Sequence, residues 1–135
     1  MQNILIVDDE PDVRDALKRV LDRAGYSVRT AASATDALVE LERTPADVVI
    51  TDIVMPKIDG VQAIEMICRQ FPATRIIAIS GGGKFGVTAY RPMAITTTAY
   101  LASAREAGAH LVLTKPFEVA ELIQAVEEVL GVGHA

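Results

Sequence analysis

Side chains with reactive chemistry close the ends of short apolar runs in this chain. Asp8, Asp9 and Glu10 follow NILIV, Asp52 follows DVVIT, Ser80 follows RIIAI, and Lys115 with Pro116 follows HLVLT. Carboxylates crowded at one place repel one another and raise each other's pKa unless a cation sits among them. One or two aspartates plus water form an oxygen-only ligand set that suits Mg²⁺. Lys115 would then supply positive charge for an anionic group that visits the site, and the Ser80 hydroxyl would donate to a tetrahedral oxyanion. A cation, a lysine, a hydroxyl and a carboxylate nucleophile are together the parts of phosphoryl transfer to an aspartate.

That chemistry requires the residues to meet, and two hydrophobic rhythms in the chain supply the means. Asn3–Asp8, Val28–Ala31, Asp47–Asp52, Arg75–Ser80 and His110–Thr114 are short, β-branched or leucine-rich runs, apolar at nearly every position. Such runs are what strands buried on both faces look like. Between them, apolar residues step by three and four. Val13, Ala16, Leu17, Val20, Leu21 and Ala24 form one such stripe, with Pro11 at its start and Gly25 at its end. Val61, Ile64, Cys68 and Phe71 form another, ended by Pro72, and Val119 to Leu130 a third, ended by Gly131. A shorter helix is expected at Ala34–Arg43, opened by Ser33 and Asp36 as a capping box. The β-α alternation, repeated five times, implies an α/β fold with a parallel sheet and helices on both faces.

In such a sheet ligands bind at the carboxyl ends of the strands, near the point where the strand order reverses. The acid-bearing, hydroxyl-bearing and lysine-bearing ends therefore belong together, whereas the second strand ends in Ala31-Ala32 and offers nothing. Each residue also has a plainer role. Asp8 to Glu10 precede a helix and acids there are often caps; Asp52 could cap a turn towards Pro56, Ser80 be a loop hydroxyl and Lys115 a solvated surface charge. Four separate loops delivering complementary chemistry to one edge by accident is the weaker explanation.

Composition narrows the function classes. A length of 135 residues, half of them hydrophobic, fits one domain with a core. The net charge of −5 argues against nucleic acid and against anionic membrane surfaces. A single cysteine, Cys68, leaves no disulfide framework and no cysteine-based zinc site; it falls on the apolar stripe of its helix. His110 and His134 read as non-functional. No stretch is long and apolar enough to span a membrane, and the start of the chain lacks a basic leader, so a cytoplasmic location is expected.

The motifs ILIVDDE at 4–10, TDIVMPKIDG at 51–60, SGG at 80–82, GA at 108–109 and TKPF at 114–117 resemble the receiver domain of two-component response regulators. The resemblance runs over essentially the whole chain. It implies a flavodoxin-like, doubly wound, five-stranded parallel sheet in the order 2-1-3-4-5. It makes Asp52 the phosphoacceptor. Mg²⁺ would be held by Asp9, Asp52 and the backbone carbonyl of Val54, with Asp8 acting through a coordinated water. Lys115 would neutralise the phosphoryl oxygens and Ser80 would swing to hydrogen-bond them, beside room left by Gly81 and Gly82. The expected donor is a sensor histidine kinase or a histidine phosphotransfer protein.

Two departures from the family pattern stand out. The aromatic residue usual three positions before the lysine is here Val112, which has no ring to swing; Tyr90 or Tyr100 could take its part. From Ser80 to Gly108 the chain runs 28 residues, an excess of roughly a dozen that falls in a glycine-rich stretch from Gly81 to Ala94, long for an unstructured connection. An extended loop is therefore expected between the fourth strand and the fourth helix, acting as a lid with Phe85, Tyr90 and Met93 as anchors, or packed passively. Gly81, Gly83 and Gly86 also match G-x-G-x-x-G, with Glu106 downstream, but Pro92 spoils the helix that a dinucleotide site needs.

The expectation is one receiver domain over residues 1–135 with no output domain. It would not be an enzyme beyond its own phosphorylation and dephosphorylation, and it would signal to a downstream protein through protein contacts. A dimer through the face of the fourth helix, fifth strand and fifth helix is the expected self-contact. The alternatives are a phosphorelay intermediate using the same site, and a phosphate-independent scaffold.

Overall fold

Strand residues with apolar side chains on both sides can hide them only in the middle of three layers. The computed structural model, which describes residues 2–52, 60–80, 108–114 and 117–131, has that arrangement. Its elements in chain order are β1 (Asn3–Val7), α1 (Pro11–Arg23), β2 (Ser27–Ala31), α2 (Ala34–Arg43), β3 (Val48–Asp52), α3 (Gly60–Gln70), β4 (Arg75–Ser80), β5 (Leu111–Thr114) and α4 (Val119–Leu130). All strand pairs are parallel, in the order β2-β1-β3-β4-β5. This is the flavodoxin-like order expected from the resemblance. The helix and long loop expected between β4 and β5, including Gly81 to Ala94, lie outside the described residues, as do Val54, Lys115 and Pro116.

Strand alternation divides the core in two. Ile4, Ile6, Val48, Ile50, Ile77 and Ile79 pack under α1 and α4 with Leu17, Leu21, Leu122 and Val126. Leu5, Val7, Val49, Ile76 and Ala78 pack under α2 and α3 with Ala37, Leu41, Ile64 and Ile67. The central strand β3 is buried at every position, including its polar end Thr51-Asp52. Val112 lies opposite Ala78 and is partly buried against the α2–α3 side of the core.

The helix ends follow the sequence signals. Pro11 opens α1, and Gly25, at φ +100°, lets the chain turn back so that Tyr26 N–H reaches Leu21 O at 3.2 Å. Ser33 Oγ accepts the Asp36 N–H at 3.1 Å, the half of the expected capping box that the structure shows. A reciprocal box between Glu118 and Glu121 opens α4.

The entry to β5 is tied to its neighbours by contacts the periodicity does not announce. His110 N–H donates to Ile76 O at 2.8 Å, and its Nδ1 accepts the Ile76 N–H at 3.1 Å. Partial burial, and then the Arg75 charge, lower its pKa, in keeping with a ring nitrogen that accepts. Just before it, Gly108 adopts φ +127°, and the Cys68 thiol donates to its carbonyl at 3.6 Å. A Cβ at Gly108 would collide with Cys68 Sγ. Gly108→Ala is therefore expected to destabilise the fold by about 2–3 kcal/mol, combining strained backbone with overpacking. Chemical denaturation should show Cys68→Ala recovering the overpacking part and leaving the backbone part. A Gly108→Ala protein as stable as wild type would refute this account of the turn.

Candidate functional site

The strand order reverses between β1 and β3: β1 leads out to β2 on one side, and β3 leads to β4 on the other. Their carboxyl ends diverge into connections on opposite faces of the sheet, which opens a crevice there. Asp8 and Asp9 leave the end of β1, and Asp52 is the last residue of β3. Their carboxylates each offer an oxygen, and these oxygens all lie within 4.8 Å of one another. Among the described residues this is the one such grouping of potential metal ligands. Glu10, the remaining acid of the run, is not part of it and occupies the N-cap position of α1.

Asp8 is held from several sides. It is 2% exposed. Its N–H donates to Ala31 O at the end of β2 at 3.1 Å, its Oδ1 accepts the Glu10 N–H at 2.9 Å, and its carbonyl accepts from Arg14 Nη1 at 2.8 Å. The plainer role of Asp8, closing the turn into α1, is thus real, and it coexists with membership of the cluster. Asp52 is equally buried, and Thr51 Oγ1 donates to its carbonyl at 3.2 Å. Asp9 is half-buried and presents the solvent side of the group.

Ser80 is the last residue of β4 and pairs in register with Thr114, the residue before Lys115. The backbone therefore carries Ser80 and Thr114 to the same edge as the acids. The structure thus joins Asp8, Asp9 and Asp52 directly and aligns Ser80 with them by register, while Val54 and Lys115 lie outside the described residues. Arg14 was not singled out by the sequence; a basic residue one turn into an amphipathic helix carries no local sign that it will reach back to a carbonyl.

Carboxylates this close repel one another when all are charged. A divalent cation among them reverses the sign of that interaction. The donor set is all carboxylate oxygen, hard and few enough to leave positions for water and for an incoming oxyanion, which fits Mg²⁺ better than a nitrogen- or sulfur-seeking metal.

The sequence model of the response regulator receiver domain matches residues 4–127. The chain is 33% identical over 123 residues to the C4-dicarboxylate transport transcriptional regulatory protein DctD of Rhizobium meliloti (strain 1021), a match that covers 91% of this chain and 24% of DctD. It thus spans about a quarter of that regulator's length. It is 31% identical over 130 residues to the response regulator receiver protein CpdR of Brucella abortus (strain 2308), covering 96% of this chain and 98% of CpdR. Among solved structures it resembles the receiver domain of NtrX from Brucella abortus, with a TM-score of 0.80 and 32% identity, over 97% of this chain and all of that one.

Mg²⁺ is expected to raise the unfolding midpoint of the wild-type protein, because a ligand at about 100 times its Kd adds about 2.7 kcal/mol to stability. Thermal melts at matched ionic strength with Na⁺ as control would measure it. The gain should vanish in Asp9→Ala, and equal gains in the two proteins would exclude the acid cluster as the cation site.

Proposed function

The chain belongs to the response regulator receiver domain family, and on that footing we propose that Asp52 accepts a phosphoryl group from a phosphohistidine on a partner protein. The observation that carries this reading is the cluster of Asp8, Asp9 and Asp52 at the point where the strand order reverses. One Asp52 carboxylate oxygen attacks phosphorus, the phosphorus–nitrogen bond to the donor imidazole breaks, and the imidazole leaves with the electron pair. The product is an acyl phosphate on Asp52, later cleaved by water. Asp9, Asp52 and the Val54 carbonyl would hold Mg²⁺ directly, and Asp8 through water; when bound, the ion offsets negative charge on the transferring oxygens. Lys115 offsets the remaining charge, and Ser80 donates to a phosphoryl oxygen.

The placement of the acids supports a nucleophilic Asp52 over its two neighbours. Asp52 ends the central strand, where pairing with Ile79 of β4, one residue beyond the Val7–Thr51 pair with β1, fixes its Cα. Asp8 already uses one oxygen on the Glu10 N–H, and Asp9 lies in the irregular link to α1.

The phosphodonor needs a surface beside this edge. A groove of about 490 Å³ runs between α1 and α4, floored by Ala16, Val20, Val119 and Ile123, with Arg19 and Arg23 at its rim. Helix α1 starts two residues after Asp9, so a donor helix with an acidic flank laid along it would stand next to the acids. Signalling through contacts with a downstream protein, in the cytoplasm, completes the reading; the near-complete coverage of CpdR supports a domain that acts by itself. Among the described residues no helix is long and apolar enough to cross a membrane. For self-association, the described part of the proposed face is the groove of about 260 Å³ between β5 and α4, lined by Leu111, Leu113, Glu121 and Glu128 among others.

Incubation with a small-molecule phosphodonor should add one phosphoryl group to the wild-type protein, in a Mg²⁺-dependent way, and none to Asp52→Asn, as read by intact-mass spectrometry. Equal labelling of Asp52→Asn would sink the assignment. The doubly charge-reversed protein with Arg19→Glu and Arg23→Glu should be labelled normally by the small donor. With a phosphorylated histidine protein as donor it should lose at least about tenfold in transfer rate, as electrostatic docking effects do. Loss with both donors would mean that the groove is not a docking surface.

A further inference from the structure

Asp8 and Asp9 must keep their carboxylates in place, yet the segment from Asp8 to Glu10 has no regular structure of its own. It is a three-residue link between the end of β1 and the start of α1. Backbone pairing ends at Val7 on the strand side, and the helix begins at Pro11, which has no N–H to give. Among the bonds that hold the link, three involve Asp8. The Asp8 N–H is tied to β2 and the Asp8 carboxylate to the Glu10 N–H. The Asp8 carbonyl is tied to α1 by one side chain, Arg14, at 2.8 Å.

Arg14 grips the link twice. Its main-chain N–H donates to Glu10 O at 3.0 Å, the first turn of α1, and its guanidinium reaches back past that turn to Asp8 O. The bond is charge-assisted and directional, made by a planar donor that cannot be deprotonated. It also leaves the carboxylate oxygens of Asp8 to other partners, since the guanidinium takes the carbonyl. A cationic group that bonded the carboxylates would compete with a metal ion; one that bonds the carbonyl behind them orients them instead.

We propose that Arg14 is a positioning residue for the cation site, setting Mg²⁺ affinity by clamping the Asp8 carbonyl. The proposal rests on the reading of Asp8, Asp9 and Asp52 as that site. Outer-layer hydrogen bonds that orient metal ligands are worth roughly tenfold or more in metal affinity. Freed of the clamp, the link samples orientations in which Asp8 and Asp9 no longer converge with Asp52, and the ion must order them again on binding.

The test compares wild type, Arg14→Met, which keeps an unbranched stem but no donor, and Arg14→Lys, which restores a cationic donor. Isothermal titration with Mg²⁺ should show Arg14→Met about tenfold weaker and Arg14→Lys in between. With a small-molecule phosphodonor, the Mg²⁺ concentration for half-maximal labelling should rise by the same factor, while the rate at saturating Mg²⁺ stays within about twofold. Amide exchange at Glu10, whose N–H is held by Asp8 Oδ1, should quicken in Arg14→Met. A lowered melting temperature with unchanged Mg²⁺ affinity would reduce Arg14 to a structural contact and overturn the proposal, as would tighter Mg²⁺ binding by Arg14→Met. If Arg14→Met does not fold, Arg14→Lys alone decides: Mg²⁺ affinity weaker than wild type together with faster Glu10 exchange supports the clamp, and affinity equal to wild type overturns it. Wild-type protein with no Mg²⁺ affinity would instead defeat the underlying reading of the site, and this inference with it.

Discussion

Three carboxylates drawn to within 4.8 Å of one another, two of them 2% exposed, carry a free-energy cost that the rest of the fold must meet. Like charges do not assemble spontaneously, and a flexible chain would spread them apart. They stay together because each is fastened to an element whose position is set by apolar burial. Asp52 ends the innermost strand, and Asp8 leaves the strand beside it, with its N–H still bonded to β2. The hydrophobic sandwich thus holds these carboxylates together at the strand ends. A divalent cation bound there would relieve the repulsion that folding imposes.

The division of the core into two faces bears on how such a relief could be transmitted. Strand β4 contributes Ile77 and Ile79 to the α1–α4 side and Ile76 and Ala78 to the α2–α3 side, then ends in Ser80. Strand β5 is held to it by ladder bonds and, at its entry, by the paired contacts of His110 with Ile76. Val112 occupies the place where family members usually carry an aromatic ring. A partly buried valine packed on the α2–α3 side has no ring to swing and few rotamers to exchange.

Glycine and cysteine show how tightly that edge is built. Gly108 turns at positive φ directly over the Cys68 thiol, and the buried Ala109 follows. The G-A pair noticed in the sequence as a family motif thus has a local reason here: a left-handed turn with no room for a methyl group. Cys68 had been expected on the apolar face of its helix as a core residue; it is there, half-buried, and its thiol also satisfies a carbonyl.

Much was legible in the residues alone. Strands apolar on both faces, helical stripes with Pro and Gly at their ends, and acids placed at strand termini are local patterns, and local patterns follow from the periods of the backbone. From them came the five strands, the helix boundaries at Pro11, Ser33, Gly25 and Gly131, and the acids Asp8, Asp9, Glu10 and Asp52, among which the family resemblance picked Asp8, Asp9 and Asp52. What required the tertiary structure was every relation between segments distant in the chain. Proximity set Arg14 against the Asp8 carbonyl, brought Cys68 under Gly108 across 40 residues, and paired His110 with Ile76. Such contacts depend on strand order, stagger and helix rotation, which are decided by how the whole core packs and leave no periodic trace in the sequence.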